Sequence, residues 1–111
     1  MPYWKCGSCG LIYEGSEAPE KCPKCGALKN MFTQVPDDQV KLIEKSCFSN
    51  GLHMEAYTLL GELLELSEKG IQDNLDPACV KIFTEEREFA KLMMQKIKAE
   101  LKTHMERNKW G

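Results

Sequence analysis

Two Cys-x-x-Cys pairs, Cys6-Gly-Ser-Cys9 and Cys22-Pro-Lys-Cys25, constrain this chain more than any other feature of its 111 residues. Twelve residues separate the pairs, and a glycine follows each, Gly10 and Gly26. Two such units place four thiolates tetrahedrally around one ion. The glycine relaxes the backbone after each turn, which lets N–H groups point at sulfur and offset its negative charge. A pair of redox disulfides is the competing reading, but two complete, matched knuckles exceed what that chemistry needs. Cys6, Cys9, Cys22 and Cys25 are therefore read as the ligands of a single metal ion. Disulfide frameworks belong to secreted chains, and MPYWKCGSCG carries no apolar signal core, so a cytoplasmic protein is expected.

Composition changes near Pro36. The first 36 residues hold half of the eight glycines and four of the five prolines, but only two leucines, Leu11 and Leu28. A segment so short and so poor in apolar side chains needs a metal or disulfides to fold. Residues 37–111 instead carry leucine, methionine, lysine and glutamate at helical spacing. Asp37 and Asp38 start a first helix whose face is Val40, Ile43 and Cys47, and Ser49-Asn50-Gly51 offers a stop. A second helix is expected from Leu52 to Lys69, striped by Leu52, Ala56, Leu59, Leu60, Leu63 and Leu66 or Ser67 and closed by Gly70. Asp76-Pro77 caps a third, running to Asn108 through Cys79, Ile82, Phe83, Phe89, Ala90, Met93, Met94, Ile97, Leu101 and Met105. Such a second helix, about 27 Å long, covers only half of a third helix of about 48 Å. The overhang, Ile97, Leu101 and Met105, implies an association surface.

With its knuckles in place, the head resembles a known family. Tyr3-Trp4-Lys5 before the first knuckle, Leu11-Ile12-Tyr13-Glu14-Gly15 after it, Ala18-Pro19 before the second and Phe32 beyond it look like the short rubredoxin-like domain of rubrerythrins. The resemblance covers residues 1 to about 35. It implies a small antiparallel sheet and four cysteines holding one iron ion that shuttles between ferric and ferrous states. Ligand type alone suits zinc as well as iron. The aromatics Tyr3, Trp4, Tyr13 and Phe32 are available as a shell that excludes water and tunes a potential; in a zinc ribbon they would be the only core such a head has.

The expected fold class is α+β: a rubredoxin-like four-cysteine domain over residues 1–36, then an all-α helical hairpin or three-helix segment over 37–111. Rubrerythrins also carry a di-iron centre, which needs Glu-x-x-His on two helices. The residues three before His53 and His104 are Asn50 and Leu101, so that centre is absent. Glu100 and His104 read as an exposed helical pair, and Cys47 and Cys79 as small buried residues. Lys96, Lys98, Lys102, Arg107 and Lys109 read as a solvated basic end. No catalytic residues and no phosphate loop stand out. A net charge of −2 and a pI of about 5.7 argue against nucleic acid. The longest uncharged run, Ser46 to Met54, falls far short of a membrane span. The expected function is electron transfer by an iron centre rather than an enzyme activity, on a helical module that dimerises or docks onto a redox partner or larger complex. The alternative is a structural zinc-ribbon adaptor.

Overall fold

A computed structural model describes all 111 residues. Three short strands, β1 (Tyr3–Cys6), β2 (Ile12–Glu14) and β3 (Phe32–Gln34), precede two long helices, α1 (Asp37–Asp73) and α2 (Pro77–Glu106). The class is α+β. The chain divides into two compact units: Met1–Cys47 with Asn108–Gly111, and Phe48–Arg107. The first turns of α1 and the last four residues thus pack with the head.

In the first unit the strands form an antiparallel sheet in the order β2-β1-β3, so β1 is central. Trp4 lies opposite Tyr13 on one side and Gln34 on the other, and Cys6 lies opposite Phe32. The buried core is only Cys6, Ala18, Cys22 and Phe32, with Trp4, Leu11, Tyr13 and Ala27 packed around it. Two of these four are cysteines, so a bound ion would complete the core. Trp4 Nε1 donates to the Gly15 carbonyl at 3.0 Å, and Tyr13 lies where a side chain at position 15 would sit. Ser46 donates its hydroxyl to the Lys109 carbonyl at 2.9 Å, and Gly111 packs on Ile12 and Ile43. These contacts hold the C-terminal residues on the head.

The second unit is an antiparallel hairpin: Asn50 meets His104, Gly61 meets Met94 and Gly70 meets Phe83. Asp76 caps α2 by accepting from the Cys79 N–H at 2.7 Å, with Pro77 following it.

The three-helix alternative is overturned. Ser49-Asn50-Gly51 does not interrupt α1, which runs unbroken for 37 residues. A glycine inside a helix costs only about 1 kcal/mol, whereas a stop needs a left-handed residue. Gly51 is not left-handed; Asn74, at φ 50°, is, and α1 ends there. Gly70 is likewise no stop. The overhang also disappears, because α1 spans about 55 Å against about 45 Å for α2. Ile97 is buried and Leu101 half-buried, and of the three only Met105 stays exposed. No helix is long and apolar enough to cross a membrane.

Candidate metal centre

The two knuckles are built alike. Cys6 N–H donates to the Leu11 carbonyl and Gly10 N–H donates back to Cys6; Cys22 and Ala27, then Gly26 and Cys22, repeat the pattern at 2.8 and 2.9 Å. Gly10 and Gly26 close these turns at φ 81° and 78°, a region that L side chains avoid. β1 delivers the first knuckle, and a bridge between Lys21 and Leu28 flanks the second.

All four sulfurs lie within 4.8 Å of one another, with Cys6 to Cys25 at 3.7 Å and Cys9 to Cys22 at 3.6 Å. Donors 2.3 Å from a tetrahedral ion sit about 3.8 Å apart, so this set fits one ion with little movement. The donors also fit chemically, being four soft thiol sulfurs with backbone N–H groups directed at them, among them Cys25 N–H to Cys22 Sγ at 3.5 Å.

The cysteines are not equivalent. The first of each knuckle, Cys6 and Cys22, is buried, while Cys9 is half-buried and Cys25 exposed. The Cys9 N–H holds the Cys6 thiol below its usual value, outweighing burial, with help from the Ser8 N–H. Burial opposes ionisation of Cys22, but the N–H groups of Cys25 and Lys24 and the Cys9 and Cys25 sulfurs prevail and bring it down to about 6. For Cys9 the Leu11 N–H favours the thiolate, yet burial and the three other sulfurs push it up to about 11. In each knuckle the fold thus favours the thiolate of the first cysteine.

Trp4, Tyr13 and Phe32 pack against the centre as expected. Tyr3 does not. Its hydroxyl donates to Glu44 at 3.4 Å, and burial together with the Glu44 charge raises its pKa. Cys47 is exposed rather than buried, and Cys79 is half-buried. Cys9 opens on a recess of about 400 Å³ lined also by Leu11, Lys24, Trp110 and Gly111. Trp110 was not singled out from the sequence, since nothing in its neighbourhood signals where it packs.

Comparison with known proteins agrees with this geometry. Residues 4–33 match the rubredoxin-like domain of rubrerythrin. The chain is 55% identical over 38 residues to reverse rubrerythrin-1 of Clostridium acetobutylicum, covering 34% of this chain and 21% of that protein. It is 73% identical over 22 residues to a rubrerythrin of Clostridium perfringens, covering 20% of this chain and 11% of that one. The matched part is thus about a fifth of these longer relatives or less. No solved structure matches the chain. The rubredoxin-like domain accounts for the four-cysteine site, the sheet and the packed aromatics, and its boundary at residue 33 leaves both helices outside the match.

Proposed function

We propose that the head is a one-electron transfer centre that carries iron on its four cysteines, and that the hairpin joins two copies of the chain. The observation that supports the redox reading most is the asymmetric exposure of the sulfurs. Cys6 and Cys22 lie in the core, whereas Cys25 is open to solvent and Cys9 faces a recess. An electron can therefore reach the centre through a thiolate without water reaching its buried side. An iron ion held by four thiolates supplies a ferric–ferrous couple at that position. The chain's own groups do the remainder. Trp4, Tyr13 and Phe32 exclude water, and backbone N–H groups aimed at sulfur offset the charge that arrives with the electron.

The dimer rests on the hairpin surface. On α1, Leu52, Leu59 and Leu66 are about half exposed at seven-residue intervals, and on α2 Ile82 and Phe89 repeat that spacing. Seven-residue apolar repeats form seams between helices. Charge favours a second copy as the occupant. α1 holds eight acidic and three basic residues, while α2 holds five acidic and six basic. A symmetric pair that sets α1 of one copy beside α2 of the other opposes unlike charges and buries both apolar rows.

The test of the redox reading is the metal and colour of protein taken from its native cells. Iron, with thiolate charge-transfer bands that bleach on one-electron reduction and return on reoxidation, is the expected result. Colourless protein containing only zinc would replace the electron carrier with a structural zinc ribbon.

A further inference from the structure

The two knuckles correspond position by position, sixteen residues apart: Cys9 with Cys25, Gly10 with Gly26, Leu11 with Ala27 and Ile12 with Leu28. They repeat the same backbone hydrogen bonds and the same left-handed glycine. Turns built alike should expose their second sulfurs alike, and these do not. Cys25 is exposed, whereas Cys9 is half-buried. The following residues differ in the same sense, with Leu28 59% exposed and Ile12 half-buried. What distinguishes the first knuckle is the segment 108–111, which packs with the head. Its Trp110 and Gly111 line the recess into which Cys9 opens.

We propose that Trp110 is a positioning residue of the metal centre: with Gly111 it screens the Cys9 sulfur from water and leaves Cys25 as the face for electron exchange. Three devices place it there. Asn108, at φ 58°, turns the chain beyond α2, in a conformation that asparagine adopts more readily than most residues. Ser46 then holds the Lys109 carbonyl at 2.9 Å. On the other side of the indole, Gly111 lies so close to the sheet that a β-carbon there would stand 2.9 Å from side-chain carbons of Ile12 and Ile43. With both of its neighbours fixed, the half-buried indole is held at the wall of the recess.

Filling the core of the head does not explain that place. The core is surrounded by Trp4, Cys9, Leu11, Tyr13 and Ala27, and Trp110 is not among them. An indole offers a large apolar surface, so at the mouth of a recess it displaces water that would otherwise reach the sulfur. Under the one-electron reading proposed above, on which this inference rests, the consequence has a sign. The reduced centre carries one more negative charge than the oxidised one, and water at a thiolate sulfur stabilises that charge. Screening Cys9 therefore disfavours reduction and lowers the potential. It also hinders a competing ligand that approaches the ion past Cys9, whatever the ion.

The experiment uses the full chain, loaded separately with iron and with Zn²⁺, so that neither arm depends on the metal found in native cells. Trp110→Ala should shift the reduction potential of the iron form upward and speed the loss of zinc to excess EDTA several-fold. Trp110→Phe, which keeps a ring at the recess, should stay close to wild type in both. Gly111→Val gives an independent opening with the indole retained, because its side chain meets Ile12 and Ile43 and lifts the segment; it should act like Trp110→Ala. Leu28→Ala, at the matching position of the uncovered knuckle, should change neither readout. Circular dichroism checks that each variant is folded. A potential or a zinc-release rate that is unmoved in both Trp110→Ala and Gly111→Val would overturn the proposal, as would an equal change in Leu28→Ala. Native protein holding only zinc would end the electron-transfer reading, while the zinc arm would still report whether Trp110 screens Cys9.

Discussion

The ring of Phe83 on α2 occupies the space in which a β-carbon at Gly70 on α1 would stand. Gly70 lies within α1, and its lack of a side chain is what lets the two helices close on each other at that level. Replacing it with alanine sets two effects against each other. Alanine gains up to about 1 kcal/mol of helix propensity. Displacing a packed aromatic ring costs about 1–3 kcal/mol. The clash should win, so Gly70→Ala is expected to lower the chemical-denaturation midpoint. Pairing it with Phe83→Leu should recover part of the loss, a non-additivity that a double-mutant cycle measures.

Gly70 also shows where the sequence could be read and where it could not. The knuckles were legible because ligand chemistry ties function to spacing, and spacing is a property of the sequence itself. Cys6, Cys9, Cys22 and Cys25 needed no tertiary information. Helix existence was legible from periodicity, and the Asp76-Pro77 cap from local hydrogen bonding. Glycine meaning was not. Gly10 and Gly26 serve left-handed turns, Gly51 sits passively inside α1, and Gly70 makes room for Phe83. One residue type has three roles, and a facing helix or a backbone angle decides among them. The same holds for His104, whose hydrogen-bond partner Asn50 lies 54 positions away.

Metal should fold the head and leave the hairpin standing. Half of the head's buried core is cysteine, whereas the hairpin contains no ligand of the four-cysteine centre. Cys6→Ala combined with Cys9→Ala is expected to abolish binding at the four-cysteine centre and erase tertiary signals from Trp4 and Tyr13. Most of the helical circular dichroism should remain. A parallel collapse of the helical signal would mean that the two units do not fold independently.

Metal uptake should respond to acid near pH 6. The Cys22 thiol is lowered to about 6 in the metal-free fold, so its ionisation favours that fold above the ordinary thiol range. This contribution is lost as pH falls through about 6. Cys9, raised to about 11, is still protonated throughout that range and gives up its proton to any incoming ion. Above pH 6, Cys22 has no proton to release; below it, one more proton leaves per ion bound. Uptake should therefore slow, and calorimetry in buffers of different ionisation enthalpy should register about one extra proton below pH 6. Replacing Cys22 with alanine would remove both the uptake and its step.

Association should depend on the outward apolar rows and not on the end of α2. Leu59, in the middle of its row, is 58% exposed and Phe89, at the end of its row, 56%, whereas Ile97 is already buried inside the hairpin. A charge at position 59 or 89 meets solvent in a lone chain and so costs the monomer little. In a paired assembly it would be buried without a partner, which is strongly unfavourable. Leu59→Glu and Phe89→Glu are each expected to convert a wild-type dimer to a monomer, as read by light scattering after size exclusion, with metal content unchanged. Ile97→Glu should instead destabilise the hairpin itself, lowering helical content. Added salt separates the two forces that hold the dimer. It screens the attraction between acidic α1 and basic α2 but leaves apolar burial in place, so moderate salt should weaken association without abolishing it. A wild-type chain that stays monomeric at high concentration would remove the second copy as the occupant of these rows.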